Sequence, residues 1–137
     1  MQARFLPLAI LLVAAAAPDE SSITGRWKSP GGNSIIDIAP CGAQMCGTVA
    51  WASAKAKKDA AKAAPQLVGT QLLTGLHQDK KGRWQGKIFI PDKNIRATAK
   101  IQVVSSNQLK VSGCAAGKAL CKSALWTRVD GPLPASD

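Results

Sequence analysis

An all-β fold, an eight-stranded antiparallel up-and-down barrel, is predicted by three observations. Short runs of alternating apolar and polar residues recur along most of the chain. Clusters of Gly, Pro, Asn and Ser separate them at tight-turn spacing, and each run turns one apolar face inward. Strands joined to their sequence neighbours in this way lose their open edges by closing on themselves. An eight-stranded barrel is just wide enough to be filled by side chains or to hold one small ligand, and the residues admit both outcomes.

Before the first strand, Met1-Gln2-Ala3-Arg4 is followed by an apolar run from Phe5 to Val13 and then Ala14-Ala15-Ala16-Ala17-Pro18. A positive start, an apolar stretch and a small-residue A-x-A site together predict a signal peptide over 1–16, cleaved near Ala16. No cysteine follows the run to carry a lipid anchor. The expected mature chain, 17–137, is one domain, periplasmic or secreted and monomeric, with no second segment long enough to cross a membrane. Loss of Arg4 takes the formal charge from +10 to about +9, so the protein stays strongly basic.

Ile23 to Lys28 is the first strand and carries Gly25-Arg26-Trp27, where a wide indole can cap one end of a barrel. Ser29-Pro30-Gly31-Gly32-Asn33 ends it. Ser34 to Pro40 places Ile36 and Ile38 on one face and Asp37 on the other, and Gly47 to Trp51 places Val49 and Trp51 together. Ala52 to Ala64 is rich in Ala and Lys without an apolar stripe, which predicts a frayed surface helix or mobile loop near 53–64. Its Lys55, Lys57, Lys58 and Lys62 are the densest basic patch and the candidate contact for an anionic partner. No aromatics interleave them, so single-stranded nucleic acid is not expected.

Pro65 to Leu76 is apolar without a clear period, and the only histidine, His77, reads as an exposed turn residue. Arg83 to Ile90 alternates cleanly, with Trp84, Gly86, Ile88 and Ile90 on one face. Ile95 to Val103 turns Ile95, Ala97, Ala99, Ile101 and Val103 inward, and Gln108 to Cys114 does the same with Leu109 and Val111. Cys121 to Val129, with Trp126 and Arg128, is the last strand.

Four cysteines in an exported chain are expected to pair. Cys41 with Cys46 and Cys114 with Cys121 each flank a short loop between strand-like runs, within disulfide reach. The same spacings are unusual for zinc, so no metal is expected.

The order Gly25-x-Trp27, Ile38-Ala39-Pro40-Cys41-Gly42, Cys46-Gly47-Thr48-Val49-Ala50-Trp51, Gly82-Arg83-Trp84-Gln85-Gly86-Lys87-Ile88, Leu109-Lys110-Val111-x-Gly113-Cys114 and Trp126-Thr127-Arg128 resembles an exported bacterial family, domain of unknown function 2147. The resemblance spans nearly the whole mature chain. It implies a lipocalin- or calycin-like barrel and no established reaction. It also implies that Arg128 stacks on the Trp27 indole and closes the barrel floor, with Gly25 making room. Two departures stand out: an Ala- and Lys-rich stretch replaces an acidic and amide-rich one after Trp51, and the chain has no tyrosine where many members carry Gly-Lys-x-Tyr.

On function, no nucleophile elbow, phosphate loop or histidine-based metal site occurs, and Asp37, Asp79 and Asp92 lie on separate elements, so an enzyme is not expected, nor a cofactor. Two classes remain. One is a binder of a small apolar or amphipathic ligand, its interior lined by Ile36, Ile38, Val49, Trp51, Trp84, Ile88, Ile101 and Val111. The other is an envelope-interaction protein with a filled core, using its basic surface on anionic lipid, lipopolysaccharide or a protein.

Overall fold

A computed structural model describes residue 7 and residues 23–115 and 120–135; the expected signal peptide lies outside the described residues, apart from Pro7. Eight antiparallel strands close into one barrel, each paired with its sequence neighbours and β8 with β1. They are β1 (Gly25–Lys28), β2 (Ser34–Cys41), β3 (Gln44–Ala52), β4 (Gln71–Gln78), β5 (Trp84–Ile90), β6 (Ile95–Ser105), β7 (Gln108–Ala115) and β8 (Leu120–Arg128). One helix, α1 (Ala54–Ala60), interrupts them between β3 and β4. Because strand direction alternates, the β2–β3, β4–β5 and β6–β7 turns gather at one end, called here the closed end. The β1–β2 connection, α1 and the β5–β6 turn gather at the other, the open end.

Register explains which residues meet inside. Trp84, Ile101, Val111 and Ala124 lie side by side across four strands, as do Trp27, Ile36 and Val49 across three. Trp27, Ile36, Ile38, Leu73, Leu76 and Leu109 lose all solvent contact and pack with Trp84, Ile101, Val111 and Trp126 into the main core. Glycines let these strands approach: a Cβ on Gly86 would come within 2.6 Å of the Thr74 carbonyl oxygen, and one on Gly47 within 2.9 Å of Leu73.

At the closed end, Arg128 performs the contact implied by the resemblance. Its guanidinium carbon sits 4.2 Å from the Trp27 ring centroid, its Nε donates to the Ser106 carbonyl at 2.7 Å and its Nη1 to the Thr24 carbonyl at 2.9 Å. The Trp27 indole N–H donates to the Ile23 carbonyl at 2.9 Å, so the buried polar atom of this wide side chain is satisfied. Gly25 has φ +125, and a Cβ there would stand 2.7 Å from Arg128 Nη1. The glycine therefore serves both an unusual backbone conformation and the passage of the arginine. The cysteines pair as Cys41–Cys46 and Cys114–Cys121, as the spacing predicts.

Several elements differ from the sequence reading. The 53–64 stretch does form a short helix, one of its two expected forms, but it carries an apolar stripe the sequence reading did not find; Ser53 caps α1 by accepting from the Ala56 amide at 3.1 Å. Ala56, Ala60, Ala63 and Ala64 then form a small-residue face packed with Val49, Ala52, Leu67 and Phe89. Alanine makes an apolar stripe that is easily mistaken for mere helix propensity. Phe89 faces away from Ile88 along β5, yet this second cluster buries it. His77 belongs to β4 rather than to a turn, exposed, with Nδ1 2.9 Å from the Gly75 carbonyl. Ile95 and Val103, expected inward, are each 39% exposed, because β6 is the longest strand and its ends run past the core.

Trp27→Ala should cost about 3–5 kcal/mol, read as a fall in Tm on the order of 15 °C. Gly25→Ala should cost about 1–3 kcal/mol from its backbone conformation, with displacement of Arg128 in addition. Gly131→Ala, also at positive φ but with nothing within 4 Å of its Cβ, should cost less than Gly25→Ala in the same thermal melts.

Candidate functional site

The barrel interior divides in two. Toward the closed end it is filled, by Trp27, Ile38, Leu76, Trp84, Ile101, Leu109 and Val111. At the open end the side chains stop short of one another and leave a cup of about 370 Å3. Ile36, Val49, Leu72, Ile88 and Trp126 form its apolar wall, and Ala56 and Ala60 of α1, with Leu67, roof one side. The rim is polar: Ser29, Asn33 and Ser34 from the β1–β2 connection, Lys55 and Asp59 from α1, and Asp92 from the β5–β6 turn.

Local sequence explains how each rim group is held. Ser29 and Ser34 Oγ atoms lie 2.7 Å apart, bracketing the Pro30–Gly32 turn. Asn33 Oδ1 accepts from Ser53 Oγ at 3.1 Å, and the Asn33 carbonyl accepts from the Ser53 amide at 2.8 Å, tying that turn to the helix start. Lys55 Nζ donates to Asp59 Oδ2 at 2.6 Å across one helical turn. The hydrogen bond and charge of Asp59 raise the Lys55 pKa, with a smaller contribution from Asp92. Two carboxylates and one ammonium thus share the rim of an otherwise apolar cup.

Of the eight residues proposed to line the interior, Ile36, Val49 and Ile88 reach the cup. Ile38, Trp84, Ile101 and Val111 lie in the filled core. Trp51 is not interior. The β2–β3 register slips between Ile35 and Ile36, so Ile36 opposes Val49 while Ile35 opposes Trp51, and the extra residue, Ala50, reverses the parity. Trp51 consequently lies outside, half-buried, its indole N–H donating to the Ala135 carbonyl at 3.3 Å. Trp126, Leu67 and Leu72 were missed as lining residues: Trp126 is an isolated aromatic in its strand and the other two fall in the run without a period. In the basic patch Lys55 is paired, Lys58 and Lys62 are exposed and Lys57 half-buried.

A second concavity, about 540 Å3, lies on the outside between β5 and β7, near the closed end, where Arg83, Lys100 and Lys110 meet Gln85, Gln102 and Ser112. Asp79 organises its edge. One carboxylate oxygen accepts from the Lys81 and Arg83 amides at 2.9 Å each, and the other from Arg83 Nε at 2.9 Å and Gln85 Nε2 at 3.0 Å. The Arg83 amide first, then its side chain and the Lys81 amide, hold the Asp79 carboxyl down at about 2. Among the described residues no group of three or more His, Cys, Asp or Glu is placed to hold a metal ion, and no helix is long and apolar enough to cross a membrane.

An eight-stranded up-and-down barrel with a filled floor, an arginine–tryptophan closure and a cup at one mouth is a lipocalin-like fold. The chain belongs to the family described as uncharacterized protein conserved in bacteria, DUF2147, whose profile matches residues 25–128. Among solved structures, it is similar to protein HP1028 from Helicobacter pylori, described as belonging to the lipocalin family. The TM-score is 0.59 at 16% identity, over 78% of this chain and 82% of that one. At that identity the likeness shows the fold alone. No curated protein matches.

The Asp79 carboxylate is favoured in the folded state, since its pKa lies below the ordinary 3.8. Its contribution is present above about pH 4 and is lost as pH falls toward 2. Asp79→Asn should therefore flatten the decline of Tm across that acid window relative to the parent, while lowering Tm at neutral pH.

Proposed function

We propose that this protein is a non-enzymatic binder of one small apolar or amphipathic molecule, acting after export to the periplasm or beyond. The observation that carries the reading is the cup of about 370 Å3 at the open end, within the size range of small-molecule sites. Its wall of Ile36, Val49, Leu72, Ile88 and Trp126 suits a hydrocarbon or ring, and its rim of hydroxyls, an amide and charges suits a polar head. The lipocalin-like fold is compatible with such a role. Two disulfides and an apolar leader with a small-residue cleavage site support export. Support for binding rather than catalysis comes from the carboxylates: Asp79 is committed to its turn and Asp59 to Lys55.

The four tryptophans make the test selective. Trp126 lines the cup, Trp27 and Trp84 lie in the core and Trp51 lies outside. Titration with a dansylated fatty acid should quench tryptophan emission and raise dansyl emission, and Trp126→Phe should lower that energy transfer more than Trp51→Phe does. Ala56→Phe, which places a ring in the cup from a half-buried helix position, should weaken binding at least about tenfold, the loss of roughly 1.4 kcal/mol, with Tm nearly unchanged. Unaltered affinity in Ala56→Phe, or no ligand mass in native mass spectrometry of the protein from its native host, would overturn the reading.

A further inference from the structure

The strands that build the outer concavity share a compositional feature. From Trp84 to Arg128, β5, β6, β7 and β8 contain no Asp or Glu, although Lys87, Arg96, Lys100, Lys110, Lys122 and Arg128 lie on them. Register sorts these charges. Gln85, Lys100, Ser112 and Ser123 oppose one another in a row across the four strands, and Gln102, Lys110 and Leu125 form the next row. Both rows alternate with the interior row of Trp84, Ile101, Val111 and Ala124, so both face outward. Lys100 and Lys110 therefore stand on adjacent strands on one outer face, and Arg83 reaches the same concavity from the β4–β5 turn.

Among the described residues, no acidic side chain pairs with Lys100 or Lys110, and neither side chain is in a hydrogen bond. Asp79 accepts the Arg83 Nε–H and so fixes the guanidinium at the groove's edge, and among the described residues no carboxylate pairs with its terminal N–H groups. Apolar side chains flank the cations: Val103 lines the groove, and Val104 and Leu125 are about half exposed, at 50% and 49%. Clustered cations interleaved with exposed branched aliphatics match a surface that offers anionic head groups and, just beneath, hydrocarbon.

We propose that the outer face of β5–β8, centred on Arg83, Lys100 and Lys110, is a docking site for an anionic phospholipid surface. The site is separate from the cup and from the Lys55 patch. The cations take the head-group phosphates, and Val104 and Leu125 enter the interfacial layer. The α1 lysines contribute little, since Lys55 is paired with Asp59 and the helix lies at the opposite end of the barrel.

Co-sedimentation with vesicles of phosphatidylglycerol and phosphatidylcholine in equal parts tests it. The protein should bind these and not pure phosphatidylcholine, and binding should weaken from low to physiological salt. Lys100→Gln with Lys110→Gln should weaken partitioning about 25-fold, about fivefold for each lysine removed near the surface. Lys57→Gln with Lys58→Gln should leave it within about twofold of the parent. Leu125→Ser should weaken it at low and physiological salt alike. Both lysines of the first pair are exposed, so the variant should melt with the parent, and Lys100→Arg with Lys110→Arg should bind as the parent does. Ala56→Phe, which fills the cup, should leave vesicle binding intact, so the two readings fail separately. Parent-like binding by the Lys100→Gln, Lys110→Gln protein overturns the proposal. So does equal binding to pure phosphatidylcholine, or a Lys100- and Lys110-dependent association with inorganic tripolyphosphate in a protein that ignores the vesicles.

Discussion

Closure of the barrel rests on Arg128. β1 has four residues and meets β8 at two register positions, Trp27 with Arg128 and Lys28 with Thr127, so backbone pairing alone joins the first and last strands weakly. The arginine adds what the ladder lacks. Its planar group covers the Trp27 ring, while two of its nitrogens hold the Ser106 and Thr24 carbonyls from different segments. A lysine could supply the charge, but not the flat face and the fork of donors together. Gly25 follows from this arrangement, since any Cβ there would meet the guanidinium.

That closure also accounts for where the free volume lies. The wide side chains, Trp27 and Trp84 with the leucines and isoleucines around them, concentrate toward the closed end and bury one another there. At the open end Ile88, which lines the cup, opposes the small Ala97, while Ala99, between Gly86 and Gly113, stays in the filled core. A barrel that tapers in side-chain volume but not in backbone diameter must leave a cup or be covered. Here α1 covers it in part, with an alanine face thin enough to roof the cup without filling it.

Charge is distributed as unevenly as volume. The acids that the structure places sit in turns, on α1, on β2 or, for Asp130, just after β8, while the charged side chains of the last four strands are all cationic. The rim of the cup thereby holds two carboxylates in a protein of formal charge +10, and the outer face of β5–β8 holds Lys100 and Lys110, which have no ion-pair partner among the described residues. One small barrel so presents two surfaces of different chemistry, an amphipathic cup and a cationic face.

Alternation, turn residues and cysteine spacing were sufficient to read the strands other than β4, their order and both disulfides from the sequence, because each is a local property of neighbouring residues; β4 falls in the run without a clear period. The Gly25–Trp27–Arg128 contact was legible through the family resemblance, since its members lie about a hundred residues apart and no local pattern joins them. The site was less legible. Inward parity marks a residue as interior but not its height in the barrel, so Ile38 and Ile101 looked equivalent to Ile36 and Ile88, although the former are in the floor and the latter line the cup. One extra residue at Ala50 was enough to turn Trp51 outward, and a bulge leaves no mark in composition. What the sequence by itself determined was the set of strands and which face of most of them is apolar, through a period of two. What only the tertiary structure decided was which interior residues border empty space and which lysines converge, because both depend on register between strands and on how α1 folds back over the rim.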